Sequence, residues 1–124
     1  MRKAINVLVK RGQQVLLVKK NSTWILPGGK PESRESDLEC LSREIIEELP
    51  GVRIQIGEYL GSIIGNSPHK GDKLIANVYS GKLEGELVKP GAEISDVKFI
   101  KDFWRYNLSQ ITRRAVYFLT GGYS

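Results

Sequence analysis

The chain has 124 residues, 40% of them hydrophobic and 27% charged, which suits one globular domain able to bury roughly 65% of its unfolded surface. Nineteen Lys and Arg against fourteen Asp and Glu give a formal charge of +5, with no long basic run to mark a nucleic-acid-binding tail. A single cysteine, Cys40, excludes an internal disulfide and a cysteine-based zinc site. The N-terminus MRKAINVLVKRG lacks the apolar core of a signal peptide, and no apolar run reaches the roughly 20 residues that span a bilayer. A cytoplasmic protein without membrane partners is expected.

In chain order, residues 3–10 and 15–20 read as two strands rich in Val, Ile and Leu, joined by a turn at Arg11–Gln14. A turn at Asn21–Thr23 leads to a short extended piece, Trp24–Leu26, ended by Pro27. Gly28-Gly29 allows a sharp bend, and 30–35 is polar loop. Ser36-Asp37-Leu38-Glu39 matches a capping box, so a helix is expected from there to about Leu49, stopped by Pro50 and Gly51. Leu38, Leu41, Ile45 and Leu49 form its expected packing stripe. Residues 53–58 and 59–64 read as a strand bent near Gly57 and Gly61, and 65–72 as a loop. Strands are expected at 73–83, 86–88 and 96–100, and a C-terminal helix at 108–119 with Leu108, Ile111, Ala115, Phe118 and Leu119 inward. The order points to an α+β fold, an α/β/α sandwich-like arrangement with a mixed sheet flanked by two helices.

The first helix concentrates acid. At about 100° per residue, Glu47 and Glu48 fall within roughly 60° of Glu44, so the three share one face. Glu44 and Glu48 are like charges four residues apart, with no Lys or Arg one turn later to offset them. A helix selected for stability alone would intersperse the signs. Hard divalent cations bind carboxylate oxygens, and Mg²⁺ shares its shell with substrate phosphates. Clustered glutamates beside a glycine turn therefore suit metal-assisted chemistry on a phosphate substrate. Arg43 is placed to pair with Glu39 or Glu47.

The stretch resembles the Nudix box: Gly, five residues, Glu, seven residues, Arg-Glu-apolar-any-Glu-Glu, then any, Gly, apolar. Gly29, Glu35, Arg43, Glu44, Ile45, Glu47 and Glu48 fall in register. Trp24-Ile25-Leu26-Pro27-Gly28-Gly29-Lys30 is similar to what commonly precedes the box. The pattern departs at its exit, where Pro50 stands in the place of Gly and Gly51 follows one later. Arg34 stands where Gly is common in relatives.

The resemblance implies a Nudix fold and a compact MutT-like pyrophosphohydrolase requiring Mg²⁺ or Mn²⁺. Its implied substrate is a nucleoside diphosphate linked to another group: a nucleoside triphosphate, ADP-ribose, a dinucleoside polyphosphate or a nucleotide sugar. It implies Glu44, Glu47 and Glu48 as metal ligands, with Glu44 either a third ligand or the base that orients water. Arg43 joins Glu44 and Glu47 as a catalytic-site residue and pairs with Glu35 to lock loop to helix. Gly29, Lys30, His69 and Lys70 are candidate substrate contacts, and Glu93, then Glu86, a candidate further ligand or base. Tyr59, Tyr79 and Phe99 are candidates to stack a base, although strand aromatics ordinarily pack in a core. Trp104 and Tyr106 are expected to anchor the C-terminal helix. The expected partner is a small nucleotide rather than a stable nucleic-acid complex, and a homodimer is left open. The alternative is a catalytically silent Nudix-fold module that senses a nucleotide or RNA.

Overall fold

The first strand, β1 (Arg2–Arg11), is buried on both faces from Ala4 to Val9. Period-two alternation then divides its side chains between two cores. Ala4 and Leu8 join Trp24, Leu26, Ile111, Ala115 and Val116 on one face. Ile5, Val7 and Val9 join Cys40, Leu41, Ile45 and Leu49 on the other. A central strand apolar on both faces needs cover on both, and helices α1 (Asp37–Glu48) and α2 (Gln110–Leu119) supply it. The α/β/α arrangement is thus the one anticipated. The computed structural model describes residues 1–68, 71–87, 89–91 and 93–120, and among them no helix is long and apolar enough to cross a membrane.

Around β1 the strands are β2 (Gln14–Lys20), β3 (Thr23–Ile25), β4 (Gly28–Gly29), β5 (Arg53–Asn66), β6 (Lys73–Glu84) and β7 (Asp96–Ile100). The main order is β3-β2-β1-β6-β5, with β4 paired to β1 and β7 to β2. β1 and β6 run parallel from Arg2↔Leu74 to Val9↔Gly81, and the other pairs are antiparallel, so the sheet is mixed. β2 pairs with only the last residues of β1, Lys10 and Arg11. The edge of β1 at Ile5 and Asn6 is therefore left to Gly28 and Gly29. That division lays the glycine turn across the middle of the sheet.

Most local expectations are met. The capping box forms, with Glu39 N–H donating to Ser36 Oγ at 3.1 Å and Ser36 N–H donating to Glu39 Oε1 at 3.0 Å. β5 is one strand whose register shifts between Ile56 and Gly61, the bend expected near its glycines, and it runs on to Asn66 into the expected loop. Four expectations fail. No strand forms at Glu86–Leu87, and Val88 lies outside the described residues. Leu38 is 51% exposed because Asp37, about 100° round the first turn, is the residue turned to the sheet, accepting from Asn77 and Tyr79. Phe118 is 66% exposed, because the buried face of α2 centres on Ile111, Thr112, Ala115 and Val116 and leaves Phe118 about 90° from its middle. The helix tolerates a buried Thr112 because its hydroxyl accepts from Leu26 N–H at 3.1 Å. Tyr106 packs edge-on against Trp24, whereas Trp104 is exposed.

Arg34 has φ of +68°, the left-handed region that glycine occupies without strain. Its side chain is exposed. Arg34→Gly is expected to relieve strain by more than the added unfolded-state entropy opposes, a net gain of about 0.5 kcal/mol or a few degrees in Tm. Thermal unfolding followed by circular dichroism checks this; a lower Tm would show that the arginine side chain contributes contacts of its own.

Candidate active site

The helix α1 presents its carboxylates to the glycine turn at β4. Glu48 is 6% exposed, and its Oε1 accepts the Gly28 N–H at 3.1 Å. Burial is the main reason its pKa rises, to about 8; the Gly28 bond opposes the shift and the Glu44 charge adds to it. Glu44 is half-buried and also shifted upward, by burial first, against the hydrogen bond from Arg43. Its carboxyl group lies over Gly29 so closely that a Cβ there would meet Glu44 Cδ at 2.5 Å. Only glycine leaves that space. Gly28 is constrained as well, with φ of +138° and no room for a Cβ, which would overlap the Ile5 carbonyl.

Arg43 binds the loop to the helix. Its Nε and Nη2 donate to Glu35 Oε2 and Oε1 at 2.7 and 2.9 Å, a bidentate pair, and Nη2 also donates to the Lys30 carbonyl at 3.0 Å. Nη1 donates to Glu44 at 2.9 Å and reaches Glu47 at 3.4 Å. The guanidinium holds the Glu35 carboxyl down to about 2, with help from the Glu32 N–H. Arg43 therefore takes Glu35 and Glu44 as its close partners rather than Glu39, which is occupied in the capping box. The pairing arises because loop 30–35 folds back over the helix, a tertiary fact that helical spacing does not contain.

These groups close one end of a cleft of about 410 Å³. Glu44, Glu47, Glu32, Arg43, Lys20 and Lys30 line the charged end. Ala4, Leu74 and Ile111 line the other together with Ser67, Ser109 and Thr112, with Asn6 between. Lys20 pairs with Glu93 at 3.2 Å across the rim and lowers the pKa values of Glu44 and Glu48. A charged end beside an apolar end fits a ligand with a phosphate chain and a flat or apolar head.

A NUDIX domain model matches residues 1–113. The chain belongs to the NUDIX family. Structural likeness agrees. A MutT NUDIX hydrolase from Burkholderia pseudomallei has 25% identity over 93% of this chain and 95% of its own, with a TM-score of 0.76. A MutT protein from Methanosarcina mazei Go1 has 23% identity over 93% and 89%, with a TM-score of 0.77. An ADP-ribose pyrophosphatase from Streptococcus suis 89-1591 has 19% identity over 96% and 87%, with a TM-score of 0.72. The chain is a Nudix-type pyrophosphohydrolase, and enzymes of this family generally use divalent metal ions.

The Nudix residues Gly29, Glu35, Arg43, Glu44 and Glu48 are brought together around the turn, and Glu47 stands at the cleft with its side chain 56% exposed. Among the described residues no three acidic, histidine or cysteine side chains converge tightly enough to enclose an ion. The donor set nevertheless fits a hard divalent cation: oxygen-only ligands, and a buried Glu48 whose ionised form is disfavoured until a cation approaches. Glu93 is at the cleft rim, whereas Glu86 is an exposed residue that does not line the cleft. His69 and Lys70 lie outside the described residues. Tyr59, Tyr79 and Phe99 do not line the cleft, which corrects the base-stacking expectation: Tyr79 donates to Asp37 at 2.8 Å, and Phe99 lies under the Arg11 guanidinium. Cys40 is fully buried, with burial pushing its thiol up to about 11, and is chemically quiet. Lys20 and Asn6 were missed by sequence reading. Each sits in an ordinary strand, and nothing in local spacing separates it from its neighbours.

Proposed function

We propose that the protein hydrolyses a pyrophosphate bond in a nucleoside diphosphate linked to another group, with Mg²⁺ or Mn²⁺ as cofactor. Nucleoside triphosphates, ADP-ribose, dinucleoside polyphosphates and nucleotide sugars are the substrate types in scope, and the relatives described as a MutT hydrolase and as an ADP-ribose pyrophosphatase support that range. The observation that carries the reading is the placement of Glu48 and Glu44 against the Gly28-Gly29 turn, with Glu44, Glu47 and both glycines lining the charged end of the cleft and Glu48 buried behind Gly28.

Glu44, Glu47 and Glu48 would hold the metal, which when bound supplies charge neutralisation of the pyrophosphate and a more acidic water. The remaining chemistry belongs to the chain. Arg43 keeps Glu44 oriented and the 30–35 loop closed over the helix. Lys20 and Lys30 add positive charge where phosphate oxygens would lie. Gly29 lets a phosphate approach the backbone closely. Glu44 remains either a ligand or the base that orients water.

The Pro50 departure does not favour a silent sensor module. Leu49 N–H still bonds the Ile45 carbonyl at 2.8 Å, and Gly51 makes the bend with φ of +85°, so the exit forms one residue later without disturbing Glu48. Phosphate release from a nucleotide panel is expected with Mg²⁺ or Mn²⁺ and is expected to fall to background in EDTA. Absence of release from every substrate, or release unaffected by EDTA, contradicts the proposal.

A further inference from the structure

Asn6 lies on the cleft wall between its charged and apolar ends and is 8% exposed. Its amide nitrogen donates to the Leu26 carbonyl at 3.0 Å and to the Pro27 carbonyl at 3.4 Å. Carbonyl oxygens only accept, so the orientation of the amide is settled: the nitrogen points into the 26–27 turn and Oδ1 is the atom offered to the cleft. Among the described residues no group donates to Oδ1. The nearby hydroxyls differ in this respect, since Ser109 Oγ and Thr112 Oγ1 bond each other at 2.8 Å and accept the Thr112 and Leu26 N–H groups. Oδ1 itself still reaches the solvent of the cleft, so a ligand that covers it must supply a donor in place of water or leave a fixed acceptor unpaired.

We propose that Asn6 reads the nucleobase of the substrate: its Oδ1 accepts a hydrogen bond from an N–H on the edge of the base. The inference rests on the pyrophosphohydrolase reading above and adds the substrate feature that this reading leaves open. The surroundings select a base over a sugar. Ala4, Leu74 and Ile111 offer apolar surface to a flat ring, and the Ser109 and Thr112 hydroxyls beside them are already bonded to each other and to backbone N–H groups, so the several hydroxyls of a sugar would find few open partners there. The main-chain turn that orients Asn6 is the same Leu26-Pro27-Gly28 segment that delivers an N–H to Glu48, so base reading and the carboxylate site are built on one rigid element. A site with a fixed acceptor discriminates strongly against a ligand that lacks the matching donor, because acceptor and cleft are then left desolvated and unpaired.

The test uses substrate pairs that differ by one donor, on whichever phosphate chain the protein cleaves: adenine against purine, guanine against hypoxanthine, hypoxanthine against N1-methylhypoxanthine, cytosine against pyrimidin-2-one, and uracil against N3-methyluracil. For at least one pair, kcat/KM of the wild type is expected to fall tenfold or more when the donor is removed. In Asn6→Leu the donor-bearing substrate is expected to lose tenfold or more, and the preference within that pair is expected to vanish. A preference that survives in Asn6→Leu, or a wild type indifferent to every pair, overturns the assignment. Should Asn6→Leu fail to fold, the side-chain ¹³Cγ resonance of Asn6 in the wild type is read in EDTA with methylene-bridged nucleotide analogues. It is expected to shift with the donor-bearing member of the pair and not with the other; equal shifts, or none, overturn the assignment. Failure of the wild type to cleave any nucleotide would instead defeat the proposed activity itself.

Discussion

Glu48→Gln is expected to lower kcat by about 10²- to 10³-fold in the presence of Mg²⁺ while leaving the fold intact. Glutamine keeps the size of the side chain and an oxygen to accept the Gly28 N–H, so only the charge is lost. In EDTA the same substitution is expected to stabilise the protein above neutral pH. The Glu48 carboxyl titrates near its ordinary 4.5 in the unfolded chain and near 8 in the folded protein. Between those values the folded state binds the extra proton. The stability contribution of Glu48 is therefore complete below 4.5 and is lost as pH rises to about 8, on the order of 5 kcal/mol in all. Glu44, shifted in the same direction, adds to the slope, whereas Glu35 acts at the acid end, where stability is lost as pH falls toward 2. Urea unfolding of the metal-free protein from pH 5 to 9 is expected to show wild-type stability declining, and Glu48→Gln stability declining far less. Parallel curves would show that Glu48 is ionised in the fold at neutral pH. Full activity in Glu48→Gln would remove it from the chemistry.

Gly28→Ala is expected to destabilise the protein by about 3–5 kcal/mol and to abolish activity with it. Two separate penalties meet at this residue. Its φ of +138° is closed to residues with a side chain. A Cβ would also overlap the Ile5 carbonyl and lie 2.8 Å from the Asn6 α-carbon, both backbone atoms of a central strand that cannot move aside. Gly12→Ala is the matched control. Gly12 has φ of +61° but open space around it, so its cost is expected to be only about 1 kcal/mol. Urea denaturation of the two variants measures the difference. Equal losses would mean that the turn does not press on β1 as tightly as the geometry requires.

Both results depend on the segment from Trp24 to Glu48, and that segment also shows how far the sequence alone could lead. The capping box, the register of the Nudix glutamates and the stop at Pro50-Gly51 are local properties, encoded within a few residues of one another, and each appears in the fold where spacing placed it. The double-faced burial of β1 was less legible, because Asn6 interrupts its apolar residues and is nonetheless buried with them.

What spacing could not supply was the environment of each carboxylate. Glu44, Glu47 and Glu48 share one helical face, yet Glu48 is buried on a backbone N–H, Glu44 is wedged over Gly29, and Glu47 is largely exposed. Those differences arise where the 28–35 segment folds over α1 and where β2 leaves the edge of β1 free, contacts between residues far apart in the chain. Lys20 and Asn6 enter the cleft for the same reason. Composition and local pattern determined the elements, the family and the donor set. Tertiary packing alone decided which carboxylate is buried, which residues share the cleft, and which acceptor is left for a substrate, because desolvation and direction are properties of a packed environment and not of the residue that experiences it.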